Sequence, residues 1–560
     1  KIWQDIICRL SLSKQQRGRT RGRISYANLG INQLGSVYES LLAYRGFYAE
    51  QDYIEVHKAD QPQEGTYLVP RHRRDDFQEN EILKEDNGHD VITRKGSFVY
   101  RLSGRDRQKS ASYYTPEVLT QCVVKYTLKP MLERLDKGEM KATELLELKI
   151  LEPAMGAAAF HNEMINQLAE AYLNYRQQEL RESGRKEWKV APDKYREELQ
   201  KVKAYIATNN TYGVDLNPTA IELGKLSLWL NVIHRDMETP FFSNRLATGN
   251  AVVGAWLKVY KHKDIREALG ANGRPLSKQP KIEWWDSAPR MLQFKPTDKP
   301  DKVQHGRKPD EVYHFLLPDK NMVPSAGIRM LKDENPEAAR AITTWRKEWC
   351  KPITKTELEL LDGICQRIDE VLTEYYKFQR TINRRTRSKQ QLFGAISTPT
   401  QGTLEPITYD DKERLDDQRH RHDAPYFKLK MIMDYWCSLW FWDMRHAGDL
   451  PSRQQYWQDI RQILQMDVEK KAVEYKAQRG QQNLFATSVQ TELPIPTEDI
   501  SVIHDDDILD AIIHYTDKQS LFDNNQRLDL IRKLAESNHF FHPHLEFLEV
   551  FWERGGFDLI

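Results

Sequence analysis

The sequence has few cysteines and no long apolar run. Its five cysteines are spread over 560 residues without a Cys-x-x-Cys pair, which argues against a disulfide framework or a zinc ribbon and predicts a reducing, cytoplasmic environment. The longest apolar stretch, around Tyr435 to Trp442, is far shorter than the roughly 20 residues of a membrane-spanning helix. We therefore predict a cytoplasmic protein that has no membrane partner.

The sequence also lacks an excess of charge of either sign. Its 83 basic and 82 acidic residues leave a net charge of +1, whereas a dedicated nucleic-acid module is usually more basic. One local cluster departs from this balance, because arginines alternate with other residues at Arg17, Arg19, Arg21 and Arg23. Two interpretations stay open: an arm that contacts DNA phosphates, or a solvated N-terminal segment.

Apolar periodicity predicts a first half in which helices and strands alternate. The predicted helices lie at 29–48, 116–132 (kinked or interrupted at Pro130), 160–175 and 218–233, and the predicted strands lie at 148–151 and 212–215. A charged stretch at 176–203 predicts an inserted helical excursion. The strand–turn–helix order indicates an α/β fold in which these two strands are adjacent and parallel.

The second half has a different pattern. Residues 260–345 are rich in Lys, Pro and Trp and show little periodicity. The final residues, 557–560, predict the start of a buried strand. Between residues 345 and 557 we predict a large, mainly helical region. Its predicted helices lie at 354–385, 426–444, 454–464 and 525–535.

Two segments of the predicted sheet carry candidate chemistry. The small-residue turn EPAMGAAAF at 152–160 follows the first strand and lets a ligand approach the backbone closely. The second strand ends in Asp215, and an acid at this position hydrogen-bonds ribose hydroxyls in dinucleotide-binding sheets. Each segment also has a simpler explanation, because such turns are common and an aspartate at a strand end is often a helix N-cap.

Two further segments make the pattern specific. Ser112-Tyr113-Tyr114-Thr115-Pro116 precedes the turn, and LATGNAVVG follows at 246–254. This set, in this order, resembles the gamma-class adenine-N6 DNA methyltransferases. The resemblance implies a Rossmann-like class I methyltransferase sheet with a helical N-terminal region and a large, mainly helical insertion. It implies an N-terminal helical and mixed domain at 1–108, the first part of the methyltransferase core at 109–258, the insertion at 259–544, and a return to the core at 545–560.

The resemblance also implies that S-adenosyl-L-methionine is the cofactor. Asp215 would bind its ribose hydroxyls, while Leu216 and Asn250 would lie by its adenine. The turn from Glu152 to Gly156 would face its amino-acid part and sulfur, and the segment 114–116 would hold its methionine end. The implied cofactor-binding set is Tyr114, Thr115, Pro116, Glu152, Pro153, Ala154, Gly156, Phe160, Asp215, Leu216 and Asn250.

The chain departs from the family pattern in its turn. Glu152 stands where aspartate is usual, and a longer acid can serve the same purpose. Ala157-Ala158 replaces Ser-Gly, so we expect residue 158 to have a backbone angle that alanine accepts.

The family's catalytic motif, Asn-Pro-Pro-aromatic, does not occur in this sequence. In the family this motif accepts the two N6 hydrogens of adenine and stacks on the flipped base. Residues 545–560 resemble the run that leads into the motif. We therefore predict no catalytic residue in this chain, and we expect methyl transfer to require residues after Ile560.

The EPAMGAAAF variant and the sequence LGSVYESLL at 34–42 resemble the large methyltransferases of bacterial phage-defence islands, the DISARM type more than the BREX type. The function implied is adenine-N6 methylation that marks self DNA. The implied partners are double-stranded DNA with a flipped adenine and other phage-defence subunits. Two alternatives stay open: a bifunctional restriction–methylation enzyme, and a non-catalytic DNA-binding scaffold with a cofactor fold.

Three histidines, His539, His542 and His544, are close enough in sequence to suggest a metal site. The resemblance places them in an ordinary connection between elements. We therefore predict no metal.

Overall fold

The computed structural model describes residues 2–13, 21–24, 44–57, 66–85, 87–102, 115–235, 237–267, 283–294, 306–386, 391–394, 408–421, 424–464 and 525–560. The chain divides into two compact units, Lys1–Thr120 and Gln121–Ile560. It is a mixed α/β protein with several small sheets and many helices. None of the helices in the described residues combines the length and the apolar content needed to cross a bilayer.

The first unit contains two small antiparallel sheets. One pairs β1 with β5, and the other places β2 between β3 and β4. Ile54, Val56 and Ile82 form a small buried cluster. The elements are α1 (Ile2–Ser11), β1 (Tyr44–Tyr48), β2 (Tyr53–Val56), β3 (Tyr67–Pro70), a 3-10 helix (Arg71–Asp76), β4 (Ile92–Thr93) and β5 (Phe98–Leu102).

The predicted helix over 29–48 is wrong at its end, because its last five residues form β1. Gly46 explains this, since glycine is a poor helix former and its missing side chain leaves room for a neighbour. A Cβ at Gly46 would lie 2.8 Å from the Phe98 ring on β5. Positions 29–43 of that prediction lie outside the described residues.

The second unit begins with the helices and strands of a parallel sheet. They are α2 (Glu117–Asp136, which starts in the first unit), a 3-10 helix (Ala142–Glu147), β6 (Ile150–Glu152), α3 (Ala159–Glu182), α4 (Tyr195–Asn209), β7 (Thr211–Asp215), α5 (Pro218–Val232) and β8 (Leu246–Thr248). The remaining residues form a mainly helical region. Its elements are β9 (Lys258–Lys261), α6 (His262–Ile265), β10 (Arg290–Met291), β11 (Glu311–Tyr313), α7 (Arg329–Glu334), α8 (Pro336–Trp349), α9 (Lys355–Thr386), α10 (Tyr409–Arg419), α11 (Pro425–Ser438), α12 (Arg453–Leu464), α13 (Gln526–Asn538), α14 (Pro543–Glu546) and α15 (Leu548–Arg554), with 3-10 helices at Trp284–Asp286, His314–Leu316, Pro324–Gly327 and Met444–Asp449.

The parallel sheet has the strand order β6-β7-β8. Glu152 lies opposite Gly213, and Asp215 lies opposite Thr248. The prediction that the first two strands are adjacent and parallel is therefore confirmed. Every residue of β7 is buried, as expected for the central strand of a sheet that is covered on both faces.

The two faces of this sheet are covered by different parts of the chain. On one face, Ile150 and Leu246 belong to a core with apolar residues of α3, α4 and α5. On the other face, Tyr212 and Val214 pack against Phe541, Phe547 and Val550 from the C-terminal segment. Alternate residues of β7 point to opposite faces, so one strand joins both layers.

The C-terminal segment also reaches the outer edge of β6. Leu559 forms an isolated parallel bridge with Ile150, and its carbonyl accepts the Leu151 N–H at 3.0 Å. The predicted buried strand at 557–560 is reduced to this one bridge. Leu559 is half-buried and Ile560 is 78% exposed.

Two further helical predictions need correction. The helix 117–136 runs through Pro130 without interruption, because Pro130 lies on an exposed surface where water can satisfy the freed Tyr126 carbonyl. The stretch 176–203 is not an excursion, since its first seven residues complete α3 and its last nine begin α4, which packs back on α3.

The stretch 260–345, predicted to have little periodicity, contains regular structure. β9 pairs antiparallel with β10 and β11, and α8 begins within the stretch. Asn335 caps α8 by accepting the Ala338 N–H, and Pro336 takes the first helical position. Strands of two to four residues are too short to leave a periodic signal in the sequence.

Candidate functional site

The carboxyl ends of β6 and β7 bring two acids to the same edge of the sheet. Asp215 ends β7 and is 8% exposed. Its Oδ2 accepts the Gly156 N–H at 2.8 Å, and its Oδ1 accepts the Asn217 N–H at 2.8 Å. The helix N-cap is Asn217, which accepts the Thr219 N–H. Asp215 is therefore not a helix N-cap, and its carboxylate links the turn after β6 to the turn after β7.

The turn between β6 and α3 is held close to β7. Its Met155 N–H donates to the Val214 carbonyl at 2.9 Å. The Met155 side chain is buried against β7 and α5. A Cβ at Gly213 would lie 2.3 Å from the Met155 sulfur, and one at Gly224 would lie 2.4 Å from its methyl carbon. The sequence thus requires glycine at both positions to make room for this methionine.

Two residues of this turn have left-handed backbone conformations. Gly156 has φ +52°, and a Cβ placed there would meet no heavy atom within 4 Å. Ala158 has φ +64° and is fully buried. The expectation of a backbone angle that alanine accepts is wrong, because left-handed angles are unfavourable for any residue with a Cβ. Pro153 and Ala154 are exposed at the tip of the turn.

Glu152 faces a histidine that the sequence analysis did not select. The Glu152 Oε2 lies 3.2 Å from the Nδ1 of His161, which is on α3. The other ring nitrogen, Nε2, lies 3.0 Å from the Tyr212 carbonyl of β7. A signal for His161 was present, since it shares a helical face with the buried Ile165 and Leu168.

Burial controls the ionisation of this pair. It raises the pKa of the Glu152 carboxyl well above its ordinary range, and the nearby Asp215 charge raises it further, while a backbone hydrogen bond from His161 opposes the shift. Burial also lowers the pKa of His161 to about 4, against the effect of its bond to the Tyr212 carbonyl. Both effects favour a neutral acid beside a neutral imidazole.

The segment after β8 is tied to both the sheet and the C-terminal residues. The Gly249 N–H donates to the Asp215 carbonyl at 2.9 Å. Asn250 donates its N–H to the His539 carbonyl at 2.7 Å, and its side-chain oxygen accepts the Val252 N–H at 3.1 Å. Asn250 is half-buried and stands after the third parallel strand, at the same edge as Asp215.

The remaining predicted residues are placed as follows. Phe160 and Leu216 are half-buried, and Phe160 packs on the core of the α3 side. Thr115 and Pro116 lie in the first unit, immediately before α2. Tyr114 lies outside the described residues.

Two of the four N-terminal arginines can be described. The exposed Arg21 donates from Nε to the Ser13 carbonyl at 2.9 Å. Arg23, also exposed, forms an isolated antiparallel bridge with Leu12. Arg17 and Arg19 lie outside the described residues.

Two of the three C-terminal histidines hold backbone amides. His542 Nδ1 accepts the Ala255 N–H at 2.9 Å, and His544 Nδ1 accepts the Leu257 N–H at 3.1 Å. Within the part of the chain that the structure describes, no group of three or more His, Cys, Asp or Glu residues is arranged to hold a metal ion.

Comparison with known proteins gives one informative similarity. Over 202 residues the chain is 26% identical to a protein of Methanocaldococcus jannaschii that is provisionally named a type II restriction enzyme and methyltransferase. The match covers 28% of this chain and 15% of the relative, so the chain spans a small part of the relative's length. No family model matches the chain, and no solved structure matches it.

Proposed function

We propose that this chain carries the S-adenosyl-L-methionine-binding part of a restriction–modification-like DNA methyltransferase. The observation that carries the proposal is the position of Asp215. Its carboxylate ends the central strand of a parallel sheet and is held by two backbone N–H groups beside an open glycine turn. Ligands of parallel α/β sheets bind at this edge, where a strand-terminal acid takes ribose hydroxyls.

The residues of the site suit this cofactor. Asp215 is proposed to accept the ribose hydroxyls, because each carboxylate oxygen keeps acceptor capacity after one backbone bond. The space at Gly156 leaves the backbone open to a ligand. Glu152, Pro153, Ala154 and Phe160 form the turn around it, and Leu216 and Asn250 extend the same edge. Tyr114, Thr115 and Pro116 complete the proposed set on the resemblance alone.

The cofactor would supply an electrophilic methyl group, and the chain's own residues would orient it and exclude water. The proposed acceptor is N6 of an adenine flipped out of double-stranded DNA. The similarity to the M. jannaschii protein supports a methyltransferase of restriction–modification type. Marking of self DNA in a phage-defence system, adenine as the target base and a cytoplasmic location are further parts of the proposal, as are the four domains at 1–108, 109–258, 259–544 and 545–560.

A bifunctional restriction–methylation enzyme is the second candidate. The specific observation in its favour is the relative's name, which joins a restriction enzyme with a methyltransferase. DNA cleavage that requires the same polypeptide would favour this candidate over a modification enzyme.

Titration calorimetry with S-adenosyl-L-methionine tests the cofactor assignment. Asp215→Ala is expected to weaken binding by roughly 10- to 100-fold, because hydrogen bonds to a charged group contribute about 1.5–3 kcal/mol. Asp193→Ala is the matched control, since Asp193 is exposed and lies outside the sheet edge. Equal affinity of the parent protein and Asp215→Ala would contradict the assignment.

The target base is tested in cells. Genomic DNA from cells that carry the unchanged gene is expected to contain N6-methyladenine, measured by nucleoside mass spectrometry, and the Asp215→Ala gene is expected to reduce it. Methylation of cytosine instead would contradict adenine as the target. Cofactor binding without methylation of any base would favour a non-catalytic scaffold.

A further inference from the structure

Glu152 and His161 form a buried polar pair that lies inside the proposed cofactor site. His161 is 2% exposed, and the Glu152 side chain is 16% exposed. The Glu152 Oε2 and the His161 Nδ1 are fully buried, and neither has another hydrogen-bond partner in the described structure. The two atoms can therefore be satisfied only by each other.

The geometry fixes how many protons the pair carries. The Tyr212 carbonyl can only accept, so the His161 Nε2 beside it must bear a hydrogen. A neutral imidazole then has a bare lone pair at Nδ1, 3.2 Å from a carboxyl oxygen. Two lone pairs facing each other in a dry site would repel, and one proton between them turns this repulsion into a hydrogen bond.

The groups described around the pair include no cation that would stabilise an ionised Glu152 in place of this proton. Asp215 from β7 is the charged group that acts on Glu152, and it is acidic. From α5, the uncharged Ser227 accepts from Asn162, the neighbour of His161 on α3, at 2.8 Å. Lys149 and Asp558 lie at the opposite end of β6, where Asp558 accepts the Lys149 N–H. A cation that reached Glu152 would therefore meet two acids, one of them neutralised by a proton.

We infer that Glu152 and His161 hold one proton between them in the ligand-free site, and that the ammonium group at the amino-acid end of the cofactor expels this proton when it binds beside Glu152. The inference rests on the proposed function. Glu152 is displaced from Asp215 by one strand spacing of about 4.8 Å and by two residues, roughly 6.6 Å, along the strand. A cofactor with its ribose at Asp215 spans that separation with its amino-acid chain. The proton leaves to solvent, the Glu152 carboxylate turns away from the His161 Nδ1 to pair with the ammonium group, and His161 stays neutral as the positioning residue.

Calorimetry in two buffers of different ionisation enthalpy measures the released proton. Binding of S-adenosyl-L-methionine near pH 7 is expected to release close to one proton, and affinity is expected to rise by up to about tenfold per pH unit while the pair is protonated. The control ligand is 5′-methylthioadenosine, which has the same nucleoside but no amino-acid end. It is expected to bind without releasing a proton.

Glu152→Gln is the matched variant. Its amide N–H can still donate to the His161 Nδ1, so the fold is expected to hold, while proton release and the pH dependence of affinity disappear. Infrared spectroscopy of the parent protein gives a test that needs no variant, because the C=O band of a protonated carboxylic acid should be lost on cofactor addition.

The possible outcomes separate the two proposals. If both ligands bind and neither releases a proton, the inference about Glu152 and His161 is overturned and the cofactor assignment stands. If neither ligand binds, the cofactor assignment fails and the inference fails with it. Proton release that persists in Glu152→Gln would assign the proton to another group and would also overturn the inference.

Discussion

Two buried histidines in this chain each face a carboxyl group, one at the sheet edge and one in the helical region. His542 is fully buried, accepts the Ala255 N–H at Nδ1 and donates from Nε2 to Asp434 at 2.9 Å. The second oxygen of Asp434 accepts from Lys430 at 2.7 Å. At the sheet edge His161 instead turns an acceptor nitrogen toward Glu152, and in the described residues no lysine pairs with this carboxyl group.

The charged neighbour of each histidine–carboxyl pair determines whether the acid is ionised. Burial alone would raise the pKa of Asp434, but the Lys430 charge and the bond from His542 outweigh it, so this pKa lies below its ordinary range. Glu152 has the anionic Asp215 as its neighbour and shifts in the opposite direction. A completed network in the helical region therefore indicates a structural role, whereas the incomplete pair at the sheet edge supports the proposal that a ligand supplies the missing charge there.

Replacing each histidine with phenylalanine should separate the two roles most clearly. His542→Phe is expected to lower the free energy of unfolding by about 3–5 kcal/mol, because it leaves one oxygen of the buried, charged Asp434 and the Ala255 N–H without a partner. His161→Phe is expected to lower it by less, about 2 kcal/mol, since it removes two neutral hydrogen bonds, one to the Tyr212 carbonyl and one to Glu152, that contribute about 1 kcal/mol each. Chemical denaturation measures both, and equal losses would contradict the comparison.

Acid should destabilise the helical region, which has two buried histidines of lowered pKa, more than the sheet edge, where Glu152 opposes the contribution of His161. Burial lowers the pKa of His544 to about 3 and of His314 to about 4, so both stay neutral in the folded protein. Their contribution to stability is full above about pH 6.5 and is lost as the pH falls toward 4, by about 3 kcal/mol for each histidine. His544→Gln is expected to remove its share of this loss in denaturation curves recorded across that range.

Glu152 works in the opposite direction to these histidines. Because its folded-state pKa is raised, its contribution is full below about pH 4.5 and is lost as the pH rises. Glu152→Gln should therefore make the loss of stability on acidification steeper than in the parent protein. A shallower loss in this variant would show that Glu152 is ionised in the folded state.

The smallest expected effect concerns the backbone of the turn at the sheet edge. Ala158→Gly is expected to raise the free energy of unfolding by roughly 0.5–1 kcal/mol, because glycine adopts the left-handed conformation without steric strain. Gly156→Ala is the matched reverse change, since its Cβ would meet no atom within 4 Å and only the backbone angle opposes it. It is expected to lower stability by about 1 kcal/mol, and equal signs for the two variants would contradict the strain argument.

The sheet-edge elements were predictable because their signals are local. The buried run of β7 and the Asn217-Pro218 start of α5 predict both elements to within a residue or two. The long helix α9 was equally clear, because its buried positions recur at helical spacing. The role of Asp215 toward a cofactor stays a prediction.

What the sequence could not supply depends on contacts between distant residues. The left-handed angle of Ala158 occurs in a turn whose Met155 packs between β7 and α5, and no propensity at residue 158 indicates it. The His161–Glu152 pair likewise needs the Tyr212 carbonyl in place to fix the imidazole. The β1 strand was missed because tertiary pairing with β5 overrides a helical apolar pattern.

The bridge between Ile150 and Leu559 has a consequence for the order in which this protein is assembled. Next to the bridge, the Lys149 N–H donates a hydrogen bond to the Asp558 carboxylate, although the two residues are 409 positions apart in the sequence. At about 5–20 residues per second, a ribosome needs on the order of 20–80 s to make the intervening chain. Throughout that time the outer edge of β6 presents unpaired backbone groups that another nascent chain could join. Newly made protein should thus depend on chaperone protection until residues 557–560 have left the ribosome.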